Sequence, residues 1–303
     1  MHRAGWLHHI RHNVSLYLIL VPGLVYYAVF HYAPMYGVLI AFKDYDIFSG
    51  VFASDWVGLK HFKELFRSDA FFTVFRNSLI ISFYKLIINF PIPIVIAILL
   101  NEIRNMRFKR TVQTVIYLPY FLSWVIIAGL VINFLSPSSG VVNMIIQSLG
   151  GEPISFLTEP AYFRSIIVLS DLWHSMGWNT IIFLAALTGV SPYLYEAAKI
   201  DGAGRFSQIF YITLPGIKST IVVLLLMKIG HMMDNGFEQI FLLSNPLVMN
   251  VGDVFETYVY RVGLLDGRYD FATSVGLFKS SIGLVLLVIA NMTARRFGER
   301  GIF

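Results

Sequence analysis

From Ser15 to Phe42 the chain carries no Lys, Arg, Asp or Glu. A helix needs about 20 apolar residues to cross the hydrocarbon core of a bilayer, so this stretch can span it. Nothing else constrains the fold as much, because inside hydrocarbon every backbone N–H and C=O has to be met within the protein, as a helix does. The opening MHRAGWLHHIRHNVSLYL has the basic start of a secretion signal. No small-residue cleavage site follows and the apolar run continues, so the segment is expected to stay in the mature protein. Pro22, Gly23 and Pro34 blur the ends of this first span. Five more stretches read as spans: about Asn77 to Leu100, interrupted by Lys85, Pro91 and Pro93; Thr111 to Leu135; Ser165 to Gly189, with Asp171 inside; Ile217 to Leu243, with Lys228, Asp234 and Glu238; and Phe271 to Ala294, with Lys279. Charged residues make up only 14% of the chain, against ~25% in soluble domains, and 56% of it is apolar. The expected fold is all-α, a polytopic membrane protein with six transmembrane helices in one domain over residues 15–303.

An even number of spans puts both termini on one side, and the cations say which side that is. Segments 1–14, 101–110, 190–218 and 291–303 hold 12 basic and 4 acidic residues, whereas segments 43–72, 136–164 and 244–270 hold 7 basic and 11 acidic. The first set, with 1–14 as a short tail, is expected in the cytoplasm. In the second set, 44–72 is expected to form part of an external cap. Turn residues crowd the external side (Ser136, Pro137, Gly140, Gly150, Gly151, Pro153), as on surfaces that meet a soluble partner. The same distribution accounts for a pI of about 9.3 without invoking nucleic acid. There is no Cys, which excludes disulfides, thiolate metal sites and cysteine nucleophiles. GxxxxGK[ST], HExxH and GxSxG are all missing, so no catalytic residue, metal site or bound cofactor is expected in this chain. His2, His8, His9 and His12 read as a solvated tail.

The segment 190–216 is the wrong composition for a loose connector. Ser191 can accept from the first free N–H groups of a helix, and Pro192 has the φ that suits a first helical position. Tyr193 to Ile200 then suits a short helix, with the small residues Ala197 and Ala198 flanked by Glu196 and Lys199. Gly202 and Gly204 allow the positive φ that ends it, Phe206 to Ile212 begins a second apolar-faced helix, and Pro215 closes the unit.

Glu196, Ala197, Ala198, three residues, Gly202, nine residues, then Ile212, Thr213, Leu214 and Pro215 match in full the EAA loop of the membrane subunits of binding-protein-dependent ABC importers. The chain resembles that family, and its type I carbohydrate-uptake branch, along nearly its whole length. Tyr32 to Gly37, Ala41 to Tyr45, Trp56 to Leu59, Phe108 to Arg110 with Tyr117 to Pro119, Asn235 to Gln239 and Glu256 to Tyr260 look like permeases for complex oligosaccharides and polysaccharide fragments. The resemblance implies a type I ABC importer transmembrane domain in the bacterial cytoplasmic (inner) membrane. It implies a second, homologous permease subunit, two ATP-binding subunits holding ATP and Mg, and an extracytoplasmic solute-binding protein. It also implies a coupling helix in which Glu196, Ala197, Ala198, Asp201 and Gly202 carry the ATPase stroke into the bilayer. Because the loop is shared across the family, a permease for another solute (an amino acid, a peptide, phosphate) stays open, as does an ion-coupled secondary transporter.

Polar residues inside the spans are the candidates for a substrate path, since each charge costs on the order of 2.5–3.5 kcal/mol at a helix centre and normally faces protein or water. In the fifth span these are Lys228, His231, Asn235 and Glu238, with Asp234 and Glu238 expected on one helix face. In the fourth they are Trp173, His174, Trp178 and Asn179, the mix of rings and hydrogen-bonding groups that suits a sugar. Tyr84 and Lys85, with Asn89, form a third group beside the proline pair. Lys85, Lys228, Lys279 and His231 would suit an acidic, uronate or alginate-like sugar, or they pair internally with Asp171, Asp234 and Glu238.

Overall fold

The structure, a computed structural model, describes residues 13–296 together with 298 and 301. The expected tail and its four histidines lie outside the described residues. Among the described residues all regular elements are helical apart from one pair of two-residue strands. Among the described residues three helices are long and apolar enough to cross a membrane alone: α1 (Val14–Phe42), α2 (Asp69–Glu102) and α11 (Tyr269–Arg296). Three bent pairs qualify jointly: α3 (Met106–Phe121) with α4 (Trp124–Leu135) at 105°, α5 (Pro160–Thr188) with α6 (Pro192–Ile200) at 69°, and α7 (Arg205–Gly216) with α8 (Lys218–Gly230) at 61°. The short helices α9 (Phe237–Leu243) and α10 (Phe255–Val259) follow α8.

By its contacts the chain forms two compact units, the first of Met1–Leu65 with Val262–Leu277 and the second of Phe66–Arg261 with Phe278–Phe303. In the first unit Val14–Tyr27 buries none of its residues. Strands Lys43–Asp44 and Asp55–Trp56 pair antiparallel, Lys43 opposite Trp56. The Lys43 ammonium closes the turn between them by donating to the carbonyls of Phe52 (3.2 Å) and Ser54 (3.1 Å). His61 is buried beneath the strands, its Nε2 2.9 Å from the Lys43 carbonyl and 3.4 Å from Asp270 Oδ2.

The second unit carries two apolar clusters with a polar layer between them. One is built on Ile81, Phe163, Ile167, Ile240 and Val254, the other on Ile94, Ala97, Phe183, Leu187 and Ile217. Helices α2 and α5 run through both clusters, so the residues between them along each helix, Ser82, Lys85 and Asn89 on α2 and Ser170 and Asp171 on α5, fall in the layer. Ser68 starts α2 earlier than hydropathy alone suggests, its Oγ accepting from the Phe71 N–H at 3.3 Å. The proline pair interrupts it at Phe90, since neither Pro91 nor Pro93 has an N–H to give the preceding turn.

The expected fifth span is corrected. Helix α8 stops at Gly230, residues 231–236 form an irregular break, and helix resumes only at Phe237. Gly236 turns the chain with φ +87°, a conformation that favours glycine. Asp234 is therefore not helical and shares no face with Glu238. A broken helix survives at membrane depth when other groups meet its freed carbonyls, and they do: Ser82 Oγ donates to the Met232 carbonyl and Lys85 Nζ to that of Asn235.

Candidate functional site

Lys85 is 6% exposed, in surroundings that would reject an unsatisfied ammonium. It has three N–H bonds to place and three acceptors within reach. They are the Asn235 carbonyl and Gln239 Oε1, both at 2.8 Å, and Asp171 Oδ1 at 3.4 Å. Asn89 holds the other Asp171 oxygen at 2.6 Å, and the buried Gln239 amide donates to the Ile167 carbonyl (2.6 Å) and Ser170 Oγ (2.8 Å). This network joins α2, α5 and the break before α9. Lys279 on α11 is held by Asp234, from within the break, and by Glu256 Oε1 of α10 at 2.6 Å.

Beside this layer opens a cavity of about 280 Å³ lined by Asn89, Phe90, Asn179, Phe183, Lys228 and His231 among others. Its volume is near the lower end of small-molecule sites. Lys228 and His231 also line a smaller adjoining pocket with Ser82, Lys85 and Asp234. The polar residues picked out in the spans thus separate. Asn179, Lys228, His231 and Lys85 come together around the two cavities, and buried Asn235 supports Lys85. Tyr84 and Glu238 are exposed and line neither cavity. Trp173, His174 and Trp178 do not line the larger one either. Trp178 stacks on Tyr120 (4.8 Å, 6°), while His174 packs 4.4 Å from the Trp124 ring and lies 3.3 Å from the Leu122 carbonyl, at the bend from α3 to α4. Gly177 lets α5 pack closely on α3: a Cβ there would sit 2.3 Å from the Ile116 carbonyl oxygen.

Gln239 and Glu256 stand in stretches that resemble the family, but neither they nor Ser82 are marked as site residues by the sequence. Asn235 and Gln239 stand four residues apart, a polar spacing that can be seen in the sequence. Glu256 gave no such signal, because its partner Lys279 is brought to it only by folding.

The segment 190–216 is a helix, a bend and a helix. Pro192 starts α6, and Ser191 precedes it in extended conformation, but its side chain caps nothing. Gly202 ends α6 at φ +79°, with its N–H bonded to the Lys199 carbonyl (3.1 Å) and that of Ala203 to Ala198 (2.8 Å), the paired bonds of a Schellman cap. Gly204 is different from expectation: at φ −68° it needs no glycine-only conformation and stands at the start of α7. Tyr195 Oη and Thr213 Oγ1, 3.0 Å apart, tie the two arms. Glu196, Ala197, Asp201 and Gly202 are exposed, as are Tyr193, Ile200, Phe206 and Tyr211, while Ala198 is half-buried.

Residues 89–299 match the family model of the binding-protein-dependent transport system inner membrane component. The chain belongs to this family. As a transport permease it resembles the polygalacturonan/rhamnogalacturonan transport system permease protein YteP of Bacillus subtilis (strain 168), 49% identical over 95% of this chain and 90% of that one. Protein LplB of the same organism is 47% identical over 99% of this chain and 94% of its own. Among solved structures, a chain of the bacterial alginate ABC transporter in complex with alginate pentasaccharide-bound periplasmic protein superposes with a TM-score of 0.90, at 41% identity, covering 97% of this chain and 98% of that one. The helical fold expected from hydropathy is thus that of a known importer permease, with three spanning-length helices among the described residues and up to six spans if each bent pair counts as one. In this permease the cavity offers one ammonium, two amides, an imidazole and aromatic walls, a set of groups that can hydrogen-bond and stack on a polar solute.

Proposed function

We propose that this permease is one membrane subunit of an ATP-driven importer for uronate-bearing oligosaccharides. The observation that carries the reading is end-to-end similarity to a polygalacturonan/rhamnogalacturonan permease at 49% identity and to an alginate transporter chain at 41%. In this reading a solute-binding protein delivers the saccharide outside, a second permease completes the path, and two ATPase subunits that hold ATP and Mg dock on the Glu196 loop. Both termini then lie in the cytoplasm with that loop. The exposed apolar residues beside Glu196 support it, since apolar side chains grouped on an exposed surface mark a place where another molecule docks.

The test is uptake of labelled galacturonate and alginate oligosaccharides by cells with and without this chain, beside neutral arabinose oligosaccharides and amino acids. Chain-dependent uptake of a uronate oligosaccharide is expected. Chain-dependent uptake of amino acids alone would overturn the reading, and uptake by the chain in vesicles without an ATPase would make it a secondary transporter.

A further inference from the structure

Three lysines, Lys85, Lys228 and Lys279, lie well inside the apolar spans, and the fold treats them unequally. Lys85 is neutralised by Asp171 and has all three N–H bonds placed. Lys279 lies between two carboxylates, Asp234 and Glu256. Lys228 is exposed on α8, borders both cavities, and has no ion-pair partner among the described residues. A positive charge at membrane depth normally faces protein or a water-filled path, and one without a partner there is free to meet a passing anion.

A second observation lies in the same cavity. Asn89 is 3% exposed, and its Nδ2 is committed to Asp171 Oδ2 and the Val168 carbonyl. That commitment fixes its Oδ1 as an acceptor, and this atom is buried with no hydrogen-bond partner. Buried acceptors are rarely left bare. His231 lines the same cavity, its Nδ1 donating to the Met227 carbonyl at 3.0 Å. Gathered at the cavity are therefore one cation, a buried amide oxygen with its bonding capacity unused, and the edge-to-face rings of Phe90 and Phe183, with centroids 6.0 Å apart.

We infer that this cavity is a subsite for a single uronate residue of the passing saccharide, with Lys228 the specificity-determining cation for its carboxylate and Asn89 Oδ1 the acceptor for a hydroxyl. The inference rests on the saccharide reading above and adds where in the permease charge is read. Arg suits the role as well as Lys, because either cation can bond a carboxylate. Removing Lys228 leaves no carboxylate orphaned, so the variant is expected to fold, unlike variants at Lys85 or Lys279.

The experiment compares uptake of a trigalacturonate, or of an alginate trisaccharide if that is what the wild type imports, with uptake of its methyl ester, which has the same skeleton without the charge. Cells carry the whole transport system with wild-type, Lys228→Met or Lys228→Arg permease, and uptake is scaled to the amount of assembled complex. Lys228→Gln repeats the test if Lys228→Met accumulates poorly. Lys228→Met is expected to lower uptake of the acid about ten- to a hundredfold, the effect of one hydrogen bond between charged groups. It should leave the ester within about twofold, and Lys228→Arg should restore most of the acid uptake. Parallel loss of acid and ester, unchanged uptake of the acid, or a wild type that does not distinguish the two would overturn the subsite while leaving the saccharide importer in place. A wild type that imports neither form would overturn the saccharide reading itself, and the subsite with it.

Discussion

The polar layer around Lys85 and the Glu196 loop are both rich in polar groups, and the fold uses them in opposite ways. In the layer each ammonium meets a carboxylate, and Asn235 and Gln239 hold the helix break in place. On the loop Glu196, Lys199 and Asp201 are exposed, and the internal bonds serve the backbone: the cap at Gly202 and the tie from Tyr195 to Thr213. Polar chemistry turned inward builds architecture, and polar chemistry left outward on a fixed shape is available to another molecule. Substitutions in the layer should therefore damage stability first, and those on the loop should damage transport first.

The largest loss of stability is expected at Lys85. Lys85→Met strands Asp171 and leaves the Asn235 carbonyl and Gln239 Oε1 without their donor. Breaking a buried pair from one side costs about 3–5 kcal/mol. Thermal unfolding of the detergent-solubilised transporter should show it as a large fall in midpoint. Replacing Lys85 and Asp171 together by apolar residues should recover part of the loss. An unchanged midpoint in Lys85→Met would show that the layer does not hold the spans together.

Two glycines come next. Gly177→Ala would place a methyl 2.3 Å from the Ile116 carbonyl oxygen, a clash with backbone that only a shift of α5 against α3 relieves. About 1–3 kcal/mol is expected from such overpacking, with quenching or shift of Trp178 fluorescence as its stack on Tyr120 loosens. Gly202→Ala meets no neighbouring atom and suffers only from its φ of +79°. That costs about 1–2 kcal/mol, and because the strain falls where α6 ends, transport should suffer more than the melting midpoint does. Equal effects on both quantities would erase the distinction between the two regions.

The different standing of these regions also explains what could be read in the sequence. The loop was legible almost residue by residue, because its capping, its turn and its motif all lie within one short segment. Its two errors, the unused Ser191 side chain and the extended Gly204, concern local choices for which the sequence allowed several solutions. The spans were legible as lengths of apolar chain, but the break at 231–236 was not. Hydropathy records which residues enter the membrane and not which backbone carbonyls find donors there. The donors here, Ser82 and Lys85, come from a helix about 150 residues earlier. The pairing of Lys85 and Lys279 was hidden for the same reason. Asp171, Asp234 and Glu238 were all available as partners, and only the fold sends Lys85 to Asp171, sends Lys279 to Asp234 and Glu256, and leaves Glu238 exposed.

The smallest effect on stability is expected where the effect on transport is greatest. Glu196 is exposed, and reversing such a charge typically changes stability by less than about 0.5 kcal/mol. If the loop docks on an ATPase, Glu196→Lys places a cation where the partner met a carboxylate, and like-charge contacts at an interface cost enough to weaken assembly. The melting midpoint of this chain should stay at the wild-type value, while copurification of the ATPase subunits and saccharide uptake both fall severalfold or more. A compensating acidic substitution on the ATPase should restore them, which a general defect in folding would not permit. Full assembly and full uptake in Glu196→Lys would mean that the outward chemistry of this loop is not read by a motor, and the contrast with the polar layer would then reduce to a difference in solvent exposure.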